Sequence, residues 1–177
     1  MRSKTQKTVD IVENVAKALA NPEVYGTIKY KEQSEAKVKQ FIYPYLLQDV
    51  KSLYLDIQKC KEATAKKKAK ENLLWEGNKN TTIHHLKLFH TNHRPDFVLE
   101  FNDITRIAIE VKMGDCGTSL REGLGQSLVY TTEYDFVIYL FIDTTKDGDI
   151  VKSLVNEKEI EFSDNLWYNH NIKMVIV

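Results

Sequence analysis

Arg94-Pro95-Asp96, then Phe97-Val98-Leu99-Glu100-Phe101, Asn102-Asp103 and Arg106-Ile107-Ala108-Ile109-Glu110-Val111-Lys112 decide the fold. Both apolar runs are strand-length and rich in β-branched and aromatic residues, and Asn-Asp between them favours a turn, so the segment predicts a β-hairpin. Gly114 and Gly117 close it. Residues two apart on a strand share a face. Glu110 and Lys112 therefore point one way, while Ile109 and Val111 point the other. Asp96 opens the first strand, and closing the hairpin brings it toward Glu110. Two carboxylates and one ammonium are thus expected at one end of the hairpin.

Working outward, Leu120 to Tyr130 reads as a helix despite Gly123 and Gly125. Phe136 to Ile142 is almost wholly apolar and predicts a buried central strand. Residues 150–156 read as a last short helix and Lys173 to Val177 as a closing strand. Upstream, Thr8 to Ala20 carries Ile11, Val12, Val15, Ala16 and Leu19 at helical spacing, with Thr8 as the candidate cap, and Pro22 and Gly26 break it. A second helix is expected from Ser34, with Val38, Phe41, Ile42, Tyr45 and Leu46 as its apolar stripe and Pro44 as a kink or stop. Leu53 to Ile57 reads as a short strand, and Cys60 to Trp75 as an Ala/Lys-rich helix ending near Gly77. Strands mixed with helices predict an α/β fold, a mixed central sheet flanked by helices. No repeat or linker divides the chain, so residues 1–177 are read as one domain.

Composition limits the function classes. The 177 residues are 42% hydrophobic and 28% charged, with equal numbers of acidic and basic groups and a formal net charge of zero. Those are ordinary globular values, and zero net charge argues against indiscriminate binding to nucleic acid. Charge is uneven, however, with lysines concentrated over Lys59 to Lys70 and acids over Asp143 to Glu161. No apolar run reaches membrane-spanning length, and no apolar core follows Met1-Arg2-Ser3-Lys4, so neither membrane nor secretory placement is expected. Two cysteines, Cys60 and Cys116, fit a reducing, cytoplasmic interior. The absence of a Gly-rich loop ending in Gly-Lys-Ser/Thr argues against a P-loop ATPase.

The trio Asp96, Glu110 and Lys112 suits phosphodiester hydrolysis. Two carboxylates offer hard oxygen ligands for Mg²⁺ or Mn²⁺, and the Val111 carbonyl is an adequate third. Such an ion polarises the phosphate and acidifies a nearby water, while Lys112 orients that water or meets charge growing on the phosphoryl oxygens. The plain alternative is a solvated strand face with an ordinary Glu-Lys pair.

Arg-Pro-Asp, a strand, a turn and Ile-Ala-Ile-Glu-Val-Lys resemble the signature of the PD-(D/E)xK nucleases, the restriction endonuclease-like superfamily. The resemblance implies a restriction endonuclease-like core over about residues 34–142, Mg²⁺-dependent cleavage of DNA, and terminal additions outside that core. It matches Asp96 and Glu110 to the metal-binding carboxylates and Lys112 to the catalytic lysine. Ser34-Glu35-Ala36-Lys37-Val38-Lys39-Gln40-Phe41-Ile42, with Tyr43-Pro44-Tyr45-Leu46-Leu47 after it, is similar to the first nuclease helix of type I restriction subunits. Glu35 is matched to a further metal-site acid, with Glu32 as its rival and a first-turn acid as the plain alternative. Gly123-Leu124-Gly125-Gln126-Ser127-Leu128-Val129-Tyr130 resembles a Gln-xxx-Tyr element that follows the core lysine. Gln126 and Tyr130 share a helical face. Gln126 is read as bonding to phosphate or the attacking-water network, and Tyr130 as bracing it or stacking near DNA. The resemblance also implies a homodimer, and an unidentified partner subunit is a further candidate partner. A nuclease-like binding or assembly protein without turnover, and an RNA nuclease, remain alternatives.

Arg94 and Arg121 flank the trio and are candidate phosphate contacts. Lys59, Lys61, Lys66, Lys67, Lys68 and Lys70 serve either as phosphate contacts or as a solvated helix face. Trp75, Trp167 and Tyr168 are either base-stacking or packing residues. His84, His85, His90 and His93 lack the cysteines and spacing of a zinc site. If Thr82 to Phe89 is a strand, His84 and His85 face opposite sides.

Overall fold

The computed structural model describes residues 5–26, 29–101 and 104–177. The chain runs through helices α1 (Gln6–Leu19), α2 (Pro22–Gly26), α3 (Glu35–Gln58) and α4 (Glu62–Asn72), then strands β1 (Leu73–Trp75), β2 (Leu86–Leu88), β3 (Thr91–His93), β4 (Phe97–Phe101) and β5 (Thr105–Gly114). Helix α5 (Gly117–Tyr130), strand β6 (Phe136–Asp143), helices α6 (Asp149–Ser153) and α7 (Glu157–His170) and strand β7 (Ile172–Ile176) complete it. The expected Asn102-Asp103 turn and the basic start at Met1 to Lys4 lie outside the described residues.

The architecture is mixed α/β. Five strands form one sheet in the order β1-β4-β5-β6-β7; β4 pairs antiparallel with β1 and β5, and β6 pairs parallel with β5 and β7. Helices cover both faces. Ile107, Ile109 and Val111 of β5 join the α1 and α3 core, while Ala108 joins Tyr130, Tyr139, Phe141 and Leu166 on the side of α5 and α7. All eight residues of β6 are buried, as the apolar run predicted. Among the described residues no helix is long and apolar enough to cross a membrane.

Several local expectations are corrected. Leu53 to Ile57 is not a strand but the last part of α3. Val38, Ile42, Leu46, Val50 and Tyr54 repeat every four residues and are all buried; burying each such side chain stabilises by about 1.5–3 kcal/mol, more than short-range strand propensity offers. Pro44 does not end α3. It is exposed, and so is Gln40, the residue whose carbonyl it leaves without an amide partner. The helix stops instead at Lys59, whose φ is +52°.

The helix read over Cys60 to Trp75 ends at Asn72, because Leu73–Trp75 pairs with Phe97–Leu99 as an edge strand. Thr8 is buried inside α1, and the capping hydroxyl belongs to Thr5, which accepts from the Thr8 amide at 3.3 Å. Pro22 to Gly26 is itself a short helix, with proline at its first position, where no amide hydrogen is needed. The short helix near residue 150 is not the last, since α7 follows it. His84 and His85 lie outside any strand; only Leu86–Leu88 pairs, with Thr91–His93.

Candidate active site

The β4–β5 register sets Phe97 opposite Ile109, so Asp96, one step before β4, stands at the level of Glu110. Asp96 is 5% exposed and Glu110 3% exposed. Asp96 is pinned from both sides: its Oδ2 accepts from the Val111 amide at 2.8 Å, and its carbonyl accepts from the Glu76 amide at 3.0 Å. Glu110 faces the α5 layer, where the Tyr130 hydroxyl donates to it. Lys112, two residues on, holds its Nζ 3.8 Å from Glu110 Oε1.

The sequence reading missed Lys39. Its Nζ lies 2.6 Å from Asp96 Oδ1 and 2.8 Å from Glu35 Oε1. Glu35 and Lys39 are four apart on α3, and that spacing was the available signal. Glu35 Oε2 also accepts from the Met113 amide at 3.2 Å, which ties the start of α3 to β5. Glu35 is therefore more than a first-turn acid. Its rival Glu32 pairs with Lys29 at 3.7 Å on the exposed surface.

The electrostatics follow from burial and crowding. Burial, reinforced by the Asp96 charge, pushes the Glu110 carboxyl up to about 8, against the opposing pull of Lys112 and the Tyr130 hydroxyl. Burial also raises Asp96, against the pull of Lys39 and the Val111 amide. Burial works against the Lys39 charge, but Asp96 and Glu35 outweigh it and hold the ammonium protonated. Were Glu35, Asp96 and Glu110 all ionised, they would outnumber Lys39 and Lys112 by one charge, and the raised Glu110 carboxyl relieves that excess by holding its proton.

Gly123 lets α5 approach. A β-carbon there would lie 2.5 Å from Tyr139 Cε2 and 2.6 Å from Lys112 Cγ. Gly123, Gln126 and Tyr130 fall on one face of α5, so the face that touches Lys112 and Glu110 also carries Gln126. Among the described residues Gln126 Oε1 is buried with no hydrogen-bond partner.

The remaining candidates separate. Tyr130 is 1% exposed and packs edge-on against Tyr134. Its suggested nucleic-acid contact is corrected to bracing Glu110. Arg94 pairs with Glu76 at 3.3 Å, and exposed Arg121 donates to Thr118 Oγ1 at 3.2 Å in the first turn of α5. Trp75 stacks between Tyr43 and Phe97, and Trp167 packs on Phe136, so both are packing residues.

Among the described residues no three His, Cys, Asp or Glu side chains form a metal-ligating group. Glu35 in particular is engaged by Lys39 and Met113 and is not gathered with Asp96 and Glu110 around one point. The donor chemistry of Asp96 and Glu110 nevertheless fits a hard divalent cation: both are buried carboxylates, and a cation already bridges one of them to Glu35. No protein-family model, curated protein or solved structure matches the chain.

Proposed function

We propose that the protein is a metal-dependent nuclease with a restriction endonuclease-like core, hydrolysing phosphodiester bonds of DNA. One observation carries this reading: Asp96 and Glu110 are buried at the same level of an antiparallel strand pair, and their mutual repulsion helps push Glu110 up to about 8. Buried carboxylates that crowd one another in this way persist where function requires them. Asp96 and Glu110 would hold Mg²⁺, with Mn²⁺ as a substitute and the Val111 carbonyl as a further oxygen. Bound there, the ion would supply Lewis-acid polarisation of the phosphate and a more acidic water.

The chain's own groups divide the remaining work. Lys112 places a positive charge beside Glu110 and meets charge developing on the phosphoryl oxygens. Gln126 Oε1, buried without a protein donor, suits accepting a hydrogen bond from the attacking water. Tyr130 holds the Glu110 carboxylate in place. Arg94 and Arg121 would meet flanking phosphates. A homodimer or partner subunit would serve cleavage of two strands.

A second reading has one observation in its favour. Lys39 already pairs with Asp96 and Glu35, as a structural ion pair would in a nucleic-acid-binding or assembly protein without turnover. A cleavage assay separates the two. Wild type and Lys112→Ala are compared on single-stranded, duplex, flapped and four-way-junction DNA, and on RNA, with Mg²⁺, Mn²⁺ or EDTA. The nuclease reading expects metal-dependent cutting that the variant loses. No cutting by folded wild type on any substrate favours the second reading, and preferential cutting of RNA replaces DNA as the substrate.

A further inference from the structure

Between Glu76 and Asp96 the chain carries no acidic residue, although its net charge overall is zero. The same stretch holds Lys79, Lys87, Arg94 and four of the five histidines, His84, His85, His90 and His93. It folds back as the β2–β3 hairpin, in which Leu88 pairs with Thr91 and leaves Phe89-His90 as a two-residue turn. Both turn residues have positive φ, +49° at Phe89 and +62° at His90. A turn of that kind selects Asn-Gly, since left-handed backbone is strained for residues with a bulky side chain. Burial does not compensate, because Phe89 is 87% exposed, the largest exposure of any large hydrophobic residue described. Strain held at an exposed aromatic is a mark of function rather than of folding.

The hairpin is also well placed. From β3 the chain passes through Arg94-Pro95 directly into Asp96, and β3 packs against α5, the helix of Gln126 and Tyr130. Leu88, which precedes Phe89, is half-buried, and the exposed residues next along the hairpin, Lys87, His90, Thr91 and Asn92, are polar or cationic. A protein partner recognising an apolar tip would want an apolar surround, whereas a cationic surround with one bare aromatic ring suits phosphates and an unstacked base.

We propose that the β2–β3 hairpin is a nucleic-acid-contacting arm, in which Phe89 stacks on an unpaired base beside the phosphate presented to Asp96 and Glu110. The proposal rests on the nuclease reading and specifies its substrate as containing unpaired nucleotides at the site. Base–aromatic stacking tolerates any sequence, so the arm reads strandedness and not base identity.

The test is binding of labelled single-stranded and fully paired oligonucleotides to the full chain, followed by fluorescence anisotropy in EDTA and in Ca²⁺. Phe89→Asn suits the left-handed turn better than phenylalanine. It is expected to keep or raise the melting temperature while weakening single-strand binding roughly ten- to a hundredfold, with little change on duplex. Phe89→Trp is expected to retain affinity and Phe89→Leu to lose it. Both keep bulk at the same backbone position, so equal affinities for these two overturn stacking whatever happens to stability. Unchanged single-strand affinity in Phe89→Asn overturns the arm alone. Failure of wild type to bind any oligonucleotide overturns the nuclease reading together with it.

Discussion

Lys39 Nζ sits 2.6 Å from Asp96 Oδ1, so the carboxylate proposed to hold a metal already holds an internal cation. The same ammonium lies 2.8 Å from Glu35. A monovalent, flexible cation thereby occupies ground that a divalent ion would contest. Removing one partner of a buried ion pair costs about 3–5 kcal/mol, because the other charge is left uncompensated. Lys39→Ala should therefore lower metal-free stability by that order. Mn²⁺ should then stabilise the variant more than it stabilises wild type, since the ion no longer displaces lysine. Thermal melts with and without Mn²⁺ measure both effects. Equal Mn²⁺-induced shifts in the two proteins would show that Lys39 and the metal do not compete.

Glu110 makes stability depend on pH in an unusual direction. Its carboxyl is raised by burial and by Asp96 to about 8 in the fold, against about 4.3 in an unfolded chain. Between those values the folded state binds more protons than the unfolded state, so stability falls as pH rises. The Glu110 contribution to metal-free stability should be fully present below the unfolded value and be lost on the way to about 8. Asp96 is raised in the same direction, so Glu110→Gln should flatten most of the slope and not all of it. Urea unfolding across that range checks the sign; stability that climbs with pH in wild type rules out a protonated Glu110.

Tyr130 opposes that shift by donating its hydroxyl to the Glu110 carboxylate. Deleting the donor alone, as in Tyr130→Phe, should move Glu110 higher still and displace the rising limb of the pH–cleavage profile toward alkaline pH. A single hydrogen bond to a charged group is worth about 1.5–3 kcal/mol, so the displacement should be readily resolved. A profile that stays in place while the overall rate drops would assign Tyr130 to packing.

The β4–β5 hairpin and β6 were legible because their apolar runs have strand length and lie between turn residues. Asp96, Glu110 and Lys112 came with them, since strand parity fixes which side chains share a face. The end of α3 was not legible from Leu53 to Ile57 alone, because those residues look alike as strand or helix. Only the four-residue ladder back to Val38 decides it. Helix α7 was hidden for a different reason: Leu166 is its one fully buried residue, so an acid-rich helix shows almost no apolar stripe. Lys39 needed tertiary structure, because the spacing from Glu35 shows a helix pair but says nothing of Asp96 on a distant strand.

The two glycines of α5 should behave oppositely. A methyl group at Gly123 would press on Tyr139 and on Lys112 Cγ at 2.5 and 2.6 Å, whereas one at Gly125 meets nothing within 4 Å. Gly125→Ala should stabilise by up to about 1 kcal/mol, the helix-propensity difference, and leave cleavage unchanged. Gly123→Ala gains the same propensity but must separate α5 from β5 or displace the Lys112 stem, which typically costs about 1–3 kcal/mol. Its effect on the site should exceed its effect on the fold, because the displaced side chain is the one proposed to meet the phosphate. Misplacement of about 1 Å can slow a positioned reaction a hundredfold. Chemical denaturation and single-turnover cleavage, run on both variants, make the comparison. Should Gly123→Ala cleave at the wild-type rate, the close packing of Gly123 against Lys112 would have no part in positioning that lysine.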